Sequence, residues 1–207
     1  MFDMDGTLLD SAPAVMSRLR DTMTHFGVQP PAETELRHLI GPPTREALSG
    51  YLPRELLEEA LTFYRSLVAH EGLANMSLFA GIPEALAQLQ SHGVPLAVAT
   101  SKLQGEADRI LRDFGIAEFF TAVAGASPER ISKADVVAHA LGRLEAESTH
   151  APLMVGDRVW DIEGAAEHGV PTILVSWGYA RPEEFERALT RVDTPPDLVT
   201  FILGGSS

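Results

Sequence analysis

MFDMDGTLLDS (Met1–Ser11) sets two aspartates, Asp3 and Asp5, one residue apart and follows them at once with Gly6 and Thr7. Carboxylates this close repel each other when they are crowded or buried. Asp and Gly are also favoured turn residues. The stretch alone therefore admits three readings: a solvated turn, a metal site, or a nucleophile beside its proton donor. The remainder of the chain has to decide among them.

From Ser11 to about Leu78 the pattern is helical. Ser11 can cap a helix whose apolar face is Val15, Leu19, Met23 and Phe26, with Gly27 ending it. Pro30-Pro31 and Gly41-Pro42-Pro43 bracket a short helix near Leu36 to Ile40. A longer amphipathic helix carries Leu57, Leu61, Tyr64 and Val68 at helical spacing. No strand is expected in this region. Met16 and Met23 are expected to pack inside it.

The pattern changes at Gly81. Pro83 opens a helix with Leu86 and Leu89 that stops at Gly93. PLAVATS is a short apolar run ending in hydroxyl residues, and a helix up to Phe114 and Gly115 leads to a second run, FFTAVAGAS. KADVVAHALGRL reads as helix, PLMVGD as strand, DIEGAAEHG as helix and TILVSW as strand. Helices alternating with buried-type strands imply a mostly parallel sheet covered on both faces. The expected fold is α/β: a Rossmann-like, doubly wound parallel sheet core of residues 1–10 and 80–207, with an all-helical cap, residues 11–79, inserted after the first motif. Hinges are expected near Asp10–Ser11 and Leu78–Gly81.

Ligands of such sheets sit beyond the carboxyl ends of the strands. The residues expected there are Asp3 and Asp5, Thr100 and Ser101, and Asp157, with Lys133 opening the helix after the second run. Each has a plain structural reading when taken alone. Asp157 and Asp161 suit a strand-end turn and a helix cap, Lys133 a solvated helix start, and Thr100 and Ser101 an ordinary strand terminus. Their joint occurrence in this order favours chemistry.

In this order, DMDGT, VATSK, RISK and GDRVWD resemble the four motifs of the haloacid dehalogenase superfamily of hydrolases, over essentially the whole chain. IGPPTREAL and GDRVWDIEGA look like the phosphoglycolate-phosphatase and nucleotidase-like subgroup. The resemblance implies a Mg²⁺-dependent phosphatase acting on a small phosphate monoester, phosphoglycolate first. Asp3 would be the nucleophile that forms an aspartyl-phosphate, and Asp5 the general acid and base. Mg²⁺ would be held by the Asp3 carboxylate, the Asp5 carbonyl and Asp157, all oxygen donors suited to a hard cation. Asp161 would hold a metal-bound water. Lys133 would orient Asp3 and the phosphate, and Thr100 and the Ser101 N–H would bind phosphoryl oxygens. Arg45, after the Gly-Pro-Pro turn, lies where relatives of the subgroup contact substrate, a role that suits its guanidinium.

Rival readings on the same fold are a 5′-nucleotidase acting on nucleoside monophosphates, a sugar-phosphate phosphatase or mutase, a dehalogenase and a phosphonate hydrolase. Mutases resembling this chain carry a cap histidine near position 15, where Val15 stands. Dehalogenases give no role to Asp5, and residues 11–78 hold no Lys for a Schiff base. A catalytically silent binding protein is disfavoured by the complete set Asp3, Asp5, Thr100, Lys133 and Asp157. The family's first strand normally has several apolar residues before the nucleophile, so native residues are expected ahead of Met1. Arg158 is expected at the surface, Trp160 over the sheet edge, Met4 in the core, and the seven histidines outside any metal site.

Composition supports this setting. At 207 residues the chain can form one ample core, or a domain with a smaller insert. It is 45% hydrophobic and 22% charged, ordinary for a globular protein. Its 16 basic against 29 acidic residues give a net charge of −13, which disfavours nucleic acid and anionic membrane surfaces as partners. Cys is absent, which removes disulfides, thiolate metal sites and a Cys nucleophile. No apolar run approaches the ~20 residues needed to cross a bilayer, and the first residues do not form a signal peptide, so a cytoplasmic monomer or homodimer is expected, with a small phosphorylated metabolite as its partner.

Overall fold

The computed structural model describes residues 1–144 and 151–204. It divides into two compact units, Met1–Leu9 with Leu78–Ser207, and Asp10–Ser77. The chain passes between them in β1 (Leu9–Asp10) and β2 (Ser77–Leu78), which form a two-stranded ladder.

The unit Asp10–Ser77 holds four α-helices: α1 (Ala12–His25), α2 (Glu33–His38), α3 (Thr44–Ser49) and α4 (Leu57–Glu71). Leu19 and Met23 of α1 and Leu57, Leu61 and Tyr64 of α4 are buried, as helical spacing requires, and Val68 is half-buried. Gly27 ends α1 with a φ of 74°, a left-handed turn that glycine adopts without strain. Ser11 stands at the N-cap, but in helical geometry and without a side-chain cap hydrogen bond; Pro13 in the first turn starts α1 instead. The short helix lies nearer the N-terminus than the Leu36–Ile40 expected from apolar residues, because Glu33 and Glu35 fill its first turn. α3 was not expected, since its two buried residues, Ala47 and Leu48, are too few to show a period.

The larger unit is built on α5 (Ile82–Ser91), β3 (Ala97–Leu103), α6 (Gln104–Asp113), β4 (Ala122–Ala126), α7 (Lys133–Leu144), β5 (Met154–Gly156), α8 (Val159–Ala166), β6 (Thr172–Val175), β7 (Thr190–Val192) and α9 (Pro195–Gly204). β3 pairs with β4, β5 with β6 and β6 with β7, all parallel. Phe2 joins the two halves with parallel bridges to Val98 and Val155. Its N–H donates to the Ala97 carbonyl at 2.8 Å, and the Asp3 N–H donates to Val155 at 2.8 Å. The order across the sheet is thus β4, β3, the first residues of the chain, β5, β6, β7.

This order is a consequence of the crossovers. From the centre the chain builds outward through β3 and β4, and α7 then returns it to the other side for β5, β6 and β7. The direction reverses beside Met1–Asp3, the place where sheets of this kind form their ligand crevice at the carboxyl ends of the strands. Small residues let α7 pack closely on the sheet: Ala97, Ala99, Ala122 and Ala124 meet Val136, Val137, Ala140 and Leu144 in one buried cluster. β7 and α9 escaped the sequence analysis, because a three-residue strand with Arg191 at its centre lacks both an apolar run and a period.

Candidate active site

Asp3 leaves the central line of the sheet at the crevice, and its carboxylate is buried. Lys133 is the first residue of α7, and its place follows from local sequence. Ser132 and Asp135 cap the helix reciprocally: the Asp135 N–H donates to Ser132 Oγ at 3.1 Å, and the Ser132 N–H donates to Asp135 Oδ2 at 2.9 Å. The preceding loop is braced by Arg130, whose Nε donates to the Gly125 carbonyl at 2.9 Å and whose Nη2 donates to Gln104 Oε1 at 3.0 Å.

From that position Lys133 Nζ reaches Asp3 Oδ1 at 2.6 Å, Asp161 Oδ1 at 2.7 Å and the Ala99 carbonyl at 2.8 Å. An ammonium has three protons, and all three are used within the protein. Lys133 therefore anchors Asp3. A contact with phosphate would need one of these bonds to be shared.

Asp157 ends β5. Its Oδ2 accepts the Tyr179 N–H at 2.7 Å, while its Oδ1 is buried without a hydrogen-bond partner. Asp161 is committed on both oxygens: Oδ2 accepts the N–H groups of Asp157 at 3.1 Å and Arg158 at 3.0 Å, and Oδ1 meets Lys133. It is thus the N3 residue of a capping box on α8 and an anchor for Lys133 at once. The close fit requires glycine nearby: a Cβ on Gly156 would collide with the Asp161 carboxyl, and one on Gly6, whose φ is 77°, with Asp157.

The electrostatics are unbalanced. Burial pushes the Asp3 carboxyl up to about 7; Lys133 opposes this, and the charges of Asp161 and Asp5 add to it. Burial also holds Asp157 well above the usual carboxylate range, reinforced by Asp161 and Asp3. For Lys133 burial acts downward, but Asp161 and Asp3 outweigh it and keep the ammonium above its ordinary value. Asp3, Asp157 and Asp161 offer oxygens that lie within 4.8 Å of one another, all buried, with Lys133 as the cation among them. The unpartnered Asp157 Oδ1, the surplus of negative charge and the all-oxygen donor set fit a divalent hard cation such as Mg²⁺.

The other expected residues are distributed as follows. Thr100 is buried at the end of the apolar part of β3, and its Oγ1 accepts the Lys102 N–H at 3.3 Å. Ser101 follows it, half-buried. Asp5 is held by Lys102, with Nζ 3.1 Å from Oδ2. Lys102 was quoted within VATSK but given no role; with Glu106, 3.6 Å from its Nζ, it is the part of the site that sequence analysis missed. The available signal was a lysine directly after the motif hydroxyls with an acid four residues on. Arg45, in α3, is exposed and pairs with Glu58 within its own unit. Arg158, expected at the surface, is buried and paired with Glu184 at 3.2 Å, a partner far along the chain. Met4 is fully buried as expected, and among the described residues the clustered candidate ligands include no histidine.

Residues 1–175 match the haloacid dehalogenase-like hydrolase family. The chain is 45% identical over 196 residues to the tyrosine-protein kinase PtkA of Mycobacterium tuberculosis, covering 94% of this chain and 67% of that protein. It is 33% identical to a 5′-nucleotidase of Pseudomonas aeruginosa, over 89% of this chain and 85% of the relative. It is 31% identical to a phosphoglycolate phosphatase of Agrobacterium fabrum, over 96% and 86%. The crystal structure of a predicted phosphatase from Clostridium acetobutylicum superposes with a TM-score of 0.90 at 30% identity, over 98% of this chain and 96% of that one. The chain belongs to the haloacid dehalogenase-like hydrolase family, in its phosphoglycolate-phosphatase-like subgroup, and is a phosphoric monoester hydrolase.

Proposed function

We propose that this protein is a Mg²⁺-dependent phosphatase that hydrolyses a small phosphate monoester, phosphoglycolate first, through an aspartyl-phosphate on Asp3. One observation carries the reading. Asp3 is a buried carboxylate pinned by Lys133 on one oxygen, beside Asp157, whose Oδ1 is buried and unpartnered. Asp3 and Asp157 would hold the cation, with the Asp5 carbonyl, and Asp161 would act from behind by fixing Lys133. Mg²⁺, when bound, would supply the positive charge that lets a carboxylate approach a phosphate dianion.

The protein's own groups do the rest. A carboxylate oxygen of Asp3 forms a bond to phosphorus as the bond to the leaving oxygen breaks, and Asp5 gives that oxygen its proton. Water then attacks phosphorus, Asp5 takes back a proton, and the bond to Asp3 breaks, which restores both aspartates. Thr100 and the Ser101 N–H would bind phosphoryl oxygens. Residues 11–79 would serve as the cap that excludes water and selects the substrate, with Arg45 among its contacts. A nucleoside monophosphate or a sugar phosphate is the alternative substrate, the first of these favoured by the 5′-nucleotidase relative.

Phosphate release from p-nitrophenyl phosphate with and without Mg²⁺ tests the reading. Asp3→Asn is expected to lower turnover by about 10⁴-fold or more; release by the variant at the wild-type rate refutes it. A panel of monoesters ranked by kcat/KM then identifies the substrate.

A second reading is favoured by the 45% identity to a tyrosine-protein kinase. An aspartyl-phosphate can be captured by a phenol hydroxyl instead of water, so the first half of the chemistry is shared. Phosphotyrosine formed from ATP on a protein acceptor, lost in Asp3→Asn, would support it.

A further inference from the structure

We propose that Lys102 is a positioning residue for proton transfer: it clamps one oxygen of Asp5 and so aims the other at the leaving group. This rests on the phosphatase reading above.

Lys102 is the penultimate residue of β3, and its own backbone N–H is tied to Thr100 Oγ1 at 3.3 Å. Its side chain is nine-tenths buried and places Nζ 3.1 Å from Asp5 Oδ2 and 3.6 Å from Glu106 Oε1. Glu106 stands in the first turn of α6, where a carboxylate is favoured by the helix dipole, and is a second carboxylate partner of the ammonium. The consequence is an asymmetry between the two oxygens of Asp5. Oδ2 is bound to a cation, whereas Oδ1 is buried and has no hydrogen-bond partner.

A carboxyl group turns easily about its last torsion, since that torsion is broad and two-fold. An acid that must meet the leaving oxygen, and afterwards a water, gains from being fixed. Lys102 fixes it by a charge-assisted contact that only a long cationic side chain from the end of β3 supplies. The oxygen left over is the one without a partner, and a buried polar atom with none is suited to a ligand atom yet to arrive. Misplacement of a catalytic group by about 1 Å can cost on the order of 10²-fold in rate.

Leaving-group dependence separates aiming from mere structural support. Phenyl phosphate and p-nitrophenyl phosphate have nearly the same shape, but phenolate is the poorer leaving group and depends more on the acid. The two esters are compared in wild type, Lys102→Met, Lys102→Arg and Glu106→Gln, with Asp3→Asn as the inactive reference. Lys102→Met is expected to lose about 100-fold in kcat/KM on phenyl phosphate and about ten-fold less on p-nitrophenyl phosphate. Lys102→Arg should restore both to within about five-fold of wild type, because the cation is kept. Glu106→Gln loosens the clamp without removing it and carries the same comparison if Lys102→Met does not fold; a bias of about three-fold against phenyl phosphate is expected. Equal losses on the two esters, or none, overturn the inference while an active wild type and a silent Asp3→Asn leave the phosphatase reading standing. Equal phosphate release by wild type and Asp3→Asn overturns both.

Discussion

Arg18 in the helical unit and Lys133 in the larger one are both cations held almost wholly out of water, and the two are solved differently. Arg18, in the helical unit, is fully buried; its Nε pairs with Glu71 at 2.9 Å and its Nη2 donates to the Gly72 carbonyl at 2.9 Å. One cation meets one carboxylate, and Glu71 keeps a quarter of its side chain in water. Lys133 meets Asp3 and Asp161 together, both almost wholly out of water, and the unpartnered Asp157 oxygen lies beside them. Desolvation makes unpaired buried charge costly. A balanced pair such as Arg18–Glu71 therefore reads as architecture, whereas an excess of buried carboxylates is tolerated where a further cation is to be bound. The imbalance marks the site.

Removing each cation should expose this difference. Lys133→Met leaves Asp3 and Asp161 facing each other, so turnover should fall about 10²- to 10³-fold and the metal-free protein should lose about 3 kcal/mol. Added Mg²⁺ should return much of that stability, since it supplies the missing charge, but not the turnover. Arg18→Met should cost less, about 2 kcal/mol, because Glu71 can turn to water. Mg²⁺ should leave that loss unchanged, and turnover per folded molecule should stay within about two-fold of wild type. Denaturant titrations with and without Mg²⁺ measure both. Equal rescue of the two variants by Mg²⁺ would erase the contrast.

A smaller effect follows from Asp3 itself, whose carboxyl is pushed up to about 7 from an ordinary 3.8. Between these values the unfolded chain has released the proton that the folded protein still holds, so the unfolded state binds fewer protons and stability falls as pH rises. The contribution is fully present below about pH 4 and is lost by about pH 7. Melting curves of metal-free wild type should show this decline, and Asp3→Asn should show a flatter one. Metal must displace the retained proton, so Mg²⁺ should raise the melting temperature more at pH 8 than at pH 6. A slope in Asp3→Asn as steep as in wild type would assign the decline to other groups.

Much of this was legible in the sequence, for identifiable reasons. Buried parallel strands and helices with cap signals write themselves into short local stretches: KADVVAHALGRL is α7 from end to end, opened by a Ser132–Asp135 box. The motif residues Asp3 and Asp157 are local marks of strand ends and Lys133 of a helix start, and the crossovers bring them together. What escaped depends on pairing between distant residues. Lys102 looks like a strand-end lysine until Asp5 is beside it, and Arg158 looks solvated until Glu184 arrives from another turn. Asp161 is the instructive case: its competing readings were a helix cap and a holder of metal-bound water, and it makes the cap contacts together with an ion pair to Lys133 that neither reading included.

The weakest prediction concerns Arg45, and it separates a surface pair from a binding group. Arg45 and Glu58 are both exposed, 53% and 75% by side chain, and an ion pair in that setting contributes between nothing and about 1 kcal/mol. Arg45→Ala should therefore lower stability by about 0.5 kcal/mol at most, and Glu58→Gln by no more. Their kinetics should diverge. If Arg45 meets the substrate anion, its loss raises KM for the preferred monoester several-fold with kcat nearly unchanged, the sign of binding shared by ground and transition states. Glu58→Gln should lower KM or leave it, because it frees the guanidinium from a competing carboxylate. Parallel KM changes in the two variants would mean that the pair acts only as a surface bridge, and that substrate choice lies with other cap residues.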